Sequence, residues 1–114
     1  MPYLKIRLNR TIEDKTSSEI LAIASKAVAK LLNKPESYVM VEMEPSSKLI
    51  FAGTADPAAY LELKSIGLPD VQIPALSKHL CDLLKDHLNI DPARVYIEFL
   101  DVKGSHWGWK GGTF

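Results

Sequence analysis

The residues that could do chemistry are few. Pro2 follows Met1 and precedes a strand-like segment, "YLKIRLN". Proline cannot donate a ladder hydrogen bond, so it enters a sheet only at a strand's first position or on an edge. Once Met1 is removed, however, Pro2 presents a secondary amine at the chain start. Such an amine can take a proton from a carbon beside a carbonyl if its pKa lies near the working pH. An ordinary chain-terminal amine has a pKa of roughly 8, so only about a tenth is neutral at pH 7; a value of roughly 6 would make about nine-tenths neutral, for about 2.7 kcal/mol. Apolar walls lower the value by desolvation, and a nearby cation lowers it by like charge.

The other reactive side chains point to no second chemistry. His79, His87 and His106 lack zinc-ligand spacing. Cys81 is alone, so no internal disulfide is expected, and it reads as a buried apolar residue. "NRT" at 9–11 matches a glycosylation pattern that a chain without a signal peptide would not use. No cofactor is expected.

The bulk composition narrows the class. The 114 residues suit one domain, 1–114, with 46% hydrophobic and 25% charged residues. Lys+Arg and Asp+Glu are both 14, giving a formal net charge of zero. A nucleic-acid partner is therefore not expected, since that role calls for a basic excess. A membrane partner is not expected either: no apolar run approaches a spanning length. With no basic and apolar leader at its start, the chain is expected in the cytoplasm.

The elements that must position Pro2 read as two matching halves. "YLKIRLN" alternates, with Leu4, Ile6 and Leu8 on one face and Tyr3, Lys5 and Arg7 on the other. From about Asp14 to Leu32 the period becomes helical, through Ile20, Ala24, Ala27, Val28 and Leu31. "NKPE" stops that helix, because the residue before a proline avoids the helical region. "YVMVEMEP" is a second strand, with Tyr38, Met40, Glu42 and Glu44 sharing its outer face. "SSKLIFAGTADP" reads as a short strand followed by a turn, and "AAYLELKSIG" as a strand ending at Gly67. "LPDVQIPALSKHLCDLLKDHLN" is a helix with Pro74 tolerable near its first turn, and "VYIEFLD" is the last strand.

"LNKPESYVMVEME" and "LNIDPARVYIEFLD" share a plan: Leu-Asn at a helix end, a proline turn, an alternating strand. This is the mark of an internal repeat. Helical crossovers join parallel strands. The predicted fold is thus α/β (α+β in some schemes): two β-α-β repeats forming a four-stranded mixed sheet with two helices on one face. The other face would carry Tyr3, Lys5, Arg7, Tyr38, Met40, Tyr96, Glu98 and Leu100, too apolar for plain solvent and too charged for a sealed core. Coverage by further copies of the chain is expected.

Five motifs in order complete the reading: "MPYL", "NKPESYV" at 33–39, "SIG" at 65–67, "DPARVYIEF" at 91–99 and "GWKGGTF" at the end. Together they resemble the tautomerase superfamily, and within it the macrophage migration inhibitory factor and D-dopachrome tautomerase family, over essentially the whole chain. The resemblance implies a homotrimer with sheets inside, helices outside and a pocket at each subunit interface. It implies a keto–enol tautomerase acting on small aromatic α-keto acids of the phenylpyruvate type, with dopachrome-like compounds as a further class. It equally allows a cytokine-like trimer that binds a protein receptor, its pocket weak or vestigial.

Residue by residue, the resemblance makes Pro2 the general base. Lys34 and the backbone N–H of Ile66, beside Ser65, would hold the substrate's carboxylate and oxygen. Tyr96 would come from the neighbouring subunit, and Glu98, two positions on, would stand near Pro2. Tyr3, Tyr38, Trp107, Trp109 and Phe114 would shape an aromatic cavity able to bury a phenyl ring. Plainer roles stand beside these. Lys34 also suits a helix C-terminus as a cation. Tyr38 and Tyr96 also suit interface packing, and the terminal aromatics a clasp on a neighbour. Three departures matter: "AAYL" at 58–61 replaces the family's Cys-x-x-Cys, Glu98 replaces a usual asparagine, and Trp107 replaces a smaller residue. No thiol-disulfide activity is then expected, a carboxylate beside Pro2 would oppose Lys34, and the pocket mouth would be narrower.

Overall fold

The computed structural model describes all 114 residues. Strand β1 (Tyr3–Leu8) is followed by helix α1 (Asp14–Leu31), then β2 (Met40–Glu44), β3 (Ala59–Ile66), α2 (Ile73–Leu88) and β4 (Val95–Val102). A small hairpin of β5 (Gly108–Trp109) and β6 (Gly112–Thr113) ends the chain. The four long strands form one mixed sheet in the order β2-β1-β3-β4, parallel at β1/β2 and β3/β4 and antiparallel at β1/β3. Each helix bridges a parallel pair, as two β-α-β repeats require.

Alternation decides which face is buried. Leu4, Ile6 and Leu8 of β1 and Ala59, Leu61 and Leu63 of β3 are all buried, while the residues between them are not. They pack against Ile20, Ala24 and Val28 of α1 and Leu76, Leu80, Leu84 and Leu88 of α2 in one contiguous core. The outer face stays open: Met40 is 66% exposed, Tyr96 64% and Leu100 48%.

The repeat extends to the turns. Asn33 and Asn89 follow the two helices with φ of 52° and 54°, the left-handed conformation that asparagine tolerates at helix ends. A 3₁₀ turn then leads into each strand, Glu36–Tyr38 before β2 and Pro92–Arg94 before β4. In the second turn the Asp91 carboxylate accepts from the Ala93 N–H at 2.9 Å.

Three sequence expectations need correction. Residues 46–50 form no strand. Ser46 and Ser47 N–H donate to the carbonyls of Arg10 and Leu8, so this segment closes off the end of β1. Phe51 and Thr54 then pair across Ala52 and Gly53, whose φ values of 52° and 77° suit a tight two-residue turn. The second helix is shorter than 68–89 because Pro69 opens a separate 3₁₀ turn at Asp70–Gln72, and α2 starts only at Ile73, with Pro74 in its first turn. Tyr38 does not share the outer face of β2. Pro35 initiates the 3₁₀ turn that contains it, with Tyr38 N–H donating to the Pro35 carbonyl at 3.1 Å.

Candidate functional site

Pro2 enters the sheet where its missing N–H costs nothing. Its carbonyl accepts from the Met40 N–H at 3.0 Å and so starts the β1/β2 ladder. Its side chain is fully buried, whereas Met1 is half-buried. Both residues line a cavity of about 390 Å³, a size that suits a small organic molecule. Burial first, and then the positive charge of Lys34, hold the chain-start amine of Met1 below the usual value for such an amine.

The cavity wall comes from three places. Tyr3 of β1 and Lys64 of β3 contribute from paired positions in the β1/β3 register. The stretch Ser37–Met40 contributes from the turn into β2, and Trp107–Trp109 and Phe114 contribute from the tail. The tail folds back because Lys110 and Gly111, with φ of 54° and 78°, make a tight turn between β5 and β6. The Phe114 N–H then donates to the Trp107 carbonyl at 3.2 Å.

This return brings three rings together. Tyr38 meets Trp109 edge-on with centroids 5.6 Å apart, and meets Phe114 at 6.1 Å. Trp109 and Phe114 stack at 5.3 Å. The tail aromatics thus close on Tyr38 of their own subunit and form a surface on which a planar ring can lie.

Lys34 has a different position. Its ammonium donates to the Ile66 carbonyl at 2.8 Å, and the side chain does not line the cavity. The buried Ser65 hydroxyl donates to the same carbonyl at 3.3 Å. Asp101 holds the next turn, its carboxylate accepting from the Gly67 and Leu68 N–H groups at 3.0 and 3.1 Å, where Gly67 has φ of 68°. The end of β3 is therefore pinned from both sides.

Pro2, Tyr3, Tyr38, Trp107, Trp109 and Phe114 line one cavity within a single subunit. Tyr96 and Glu98 do not. Arg7, Tyr60 and Tyr96 share one level across the sheet, while Tyr3, Lys64 and Leu100 share another. Tyr96 thus lies four residues, roughly 13 Å, along the strands from the cavity's level, and Glu98 half as far. Tyr96 instead packs on Phe51, centroids 4.7 Å apart. Within one subunit neither residue reaches Pro2.

Several residues of the site escaped the sequence reading. Lys64 and Met40 line the cavity, and Asp101 braces the loop after β3. Register was the available signal for Lys64: it is the outer-face residue of β3 that falls opposite Tyr3 once the strands are paired. The Tyr3 hydroxyl is itself engaged, donating to the Glu42 carboxylate, which with its negative charge pushes the phenol up to about 12.

Comparison with known proteins agrees with this architecture. Residues 1–114 match the family model described as macrophage migration inhibitory factor. A macrophage migration inhibitory factor homolog of Brugia malayi is 40% identical over 115 aligned residues, spanning 100% of this chain and 99% of that protein. The factor of Rattus norvegicus is 40% identical over 82% of this chain and 83% of its own. The crystal structure of a homologue from Prochlorococcus marinus superposes with a TM-score of 0.93 at 34% identity, covering 98% of each chain. With its whole length matched by the family model and its fold shared with solved relatives, the chain belongs to the macrophage migration inhibitory factor family of the tautomerase superfamily.

Proposed function

We propose that the protein is a keto–enol tautomerase of aromatic α-keto acids of the phenylpyruvate type, with dopachrome-like compounds as a further class. The observation that carries this reading is the setting of the chain start. Pro2 is fully buried in a cavity wall, and the amine one residue before it is already held below its usual value by burial and by Lys34. Removal of Met1 moves the amine one residue deeper, onto a ring nitrogen. Desolvation there is at least as strong, so the free secondary amine is neutral at pH 7 to a larger extent than an exposed one.

In the proposed reaction the neutral Pro2 nitrogen takes a proton from the CH₂ carbon beside the keto group. The electron pair moves into the new C=C bond, the carbonyl oxygen becomes an enolate, and the proton is delivered to that oxygen to give the enol. The aromatic ring lies on Tyr38, Trp109 and Phe114. Burial, and then the charge of Lys34, favour the neutral amine, as they do for the amine of Met1. The Ile66 N–H, with Tyr96 from a neighbouring subunit, stabilises the developing oxygen charge. That last role requires a homotrimer, which the exposed Met40, Tyr96 and Leu100 of the outer sheet face support.

A second reading is a cytokine-like trimer that binds a protein receptor. It is favoured by the relatives, several of which carry the name of a migration inhibitory factor. The two readings separate on one substitution, because receptor binding uses the surface and survives Pro2→Gly.

The test is a mass spectrum of the purified protein, followed by phenylpyruvate tautomerisation beside Pro2→Gly. The expected result is loss of Met1 and a rate at least about 100-fold above the variant. Equal rates from wild type lacking Met1 and from the variant reject the catalytic reading for this substrate.

A further inference from the structure

Three side chains hold one another at the end of the sheet away from the cavity. Arg94, in the turn before β4, gives its guanidinium to the loop between β2 and β3. Its Nε donates to the Pro57 carbonyl at 3.0 Å, and its Nη2 to the Asp56 and Thr54 carbonyls at 3.0 and 3.3 Å. The same group lies over the Phe51 ring, 5.3 Å from the centroid. Phe51 is fixed through its backbone as well, because its N–H donates at 2.9 Å to the Thr54 carbonyl that Arg94 also holds. The Phe51 ring then packs on Tyr96, centroids 4.7 Å apart with the planes tilted by 60°.

Tyr96 is therefore held and open at once. The residue is 64% exposed, its ring is braced on one side, and its hydroxyl has no partner within the subunit. An exposed tyrosine without such a brace keeps its rotamer freedom, and using it at a site costs the entropy of ordering it. Here folding has already ordered the ring. From this we infer that Phe51 and Arg94 are positioning residues for Tyr96: they aim its hydroxyl at a neighbouring subunit's cavity, with the orientation fixed before the substrate arrives. An arginine suits the task and a lysine does not, because only the guanidinium fork reaches several carbonyls and lies over a ring together. The inference rests on the tautomerase reading above, in which Tyr96 stabilises the developing oxygen charge.

The experiment measures kcat and KM for phenylpyruvate in wild type, Tyr96→Phe, Phe51→Leu, Phe51→Tyr and the double variant Phe51→Leu/Tyr96→Phe, each shown by sedimentation to keep the wild-type oligomeric state. Tyr96→Phe should lose about tenfold in kcat, the scale of one hydrogen bond. Phe51→Leu keeps an apolar side chain without the ring; it should lose about three- to tenfold in kcat, with KM within about twofold. Phe51→Tyr, which restores a ring, should stay within about twofold of wild type. The double variant decides: it should be no slower than Tyr96→Phe alone, since a positioning residue then has nothing left to position. Arg94→Lys makes the same comparison from the other end of the contacts, and takes the place of Phe51→Leu if that variant does not assemble. Losses that multiply in the double variant, or a Phe51→Leu as fast as wild type, overturn the assignment. Tyr96→Phe as fast as wild type overturns it too and leaves the Pro2 reaction standing, whereas a wild type no faster than Pro2→Gly overturns both.

Discussion

The ammonium of Lys34 and the carbonyl oxygen of Ile66 lie 2.8 Å apart, joining the end of the first helix to the end of the third strand. The contact places a fixed positive charge near the chain start, where it adds to burial in holding the amine low. It also satisfies a lysine that would otherwise be half-buried without a partner.

Removing that charge should move the pH profile. Burial and the Lys34 charge lower the Met1 amine; carried one residue on to the free Pro2 amine, loss of that charge in Lys34→Met should raise its pKa and leave less of it neutral at pH 7. The acid limb of kcat/KM for phenylpyruvate should therefore shift to higher pH, with the plateau at high pH retained better than the rate at pH 6. An unmoved acid limb would show that Lys34 does not act on the base.

Glu98 offers the opposite sign, and only across a subunit boundary. Within its own chain it sits across from Glu62 and Lys5, away from the level of Pro2. If a neighbour carries it to the amine, its negative charge favours the ammonium, and Glu98→Gln should lower the amine pKa and raise turnover near neutral pH. Sedimentation and the pH profile of the same sample check this together. A trimer with an unchanged profile in Glu98→Gln places the carboxylate away from the base.

The Tyr3–Glu42 pair links β1 to β2 on the open face and should make stability pH-dependent in alkali. The Tyr3 phenol is pushed up to about 12 in the folded protein, against an ordinary 10. A raised folded-state pKa means the contribution is fully present below pH 10 and is lost as pH rises toward 12. Urea unfolding between pH 9 and 12 should show a steeper loss for wild type than for Glu42→Gln. Parallel curves would remove the pair as a contributor.

Asn9 should matter for folding more than its place in "NRT" suggests. Its amide donates to the carbonyls of Leu49, Ala55 and Asp56, and its side-chain oxygen accepts from the Ala58 N–H at 2.9 Å. One side chain thus organises the segment between β2 and β3. Asn9→Ala should cost about 1–3 kcal/mol, since two part-buried backbone groups, the Leu49 carbonyl and the Ala58 N–H, lose their partner. Denaturant unfolding measures this, and a loss under about 0.5 kcal/mol would show that water replaces the contacts freely.

Much of the fold was legible because it follows from local periodicity. Alternation in 3–8 and 95–99 and helical spacing in 14–32 depend only on which side of an element meets the core, and the two Leu-Asn turns announced the repeat. Pro2 could be singled out because its chemistry resides in the residue itself. The stretch 46–50 misled because it has no neighbouring strand to pair with in this chain; the Ser46 and Ser47 N–H groups bond to the carbonyls of Arg10 and Leu8 instead. Tyr38 misled because Pro35 sets a 3₁₀ turn that takes it out of the strand's alternation. What only the tertiary structure decided are the relationships across sequence distance. Strand register set Lys64 opposite Tyr3 and carried Tyr96 and Glu98 away from Pro2, and chain return brought Trp109 and Phe114 onto Tyr38. Pairing register is fixed by which residues can share a core and a ladder, a property of two segments together that neither segment contains alone.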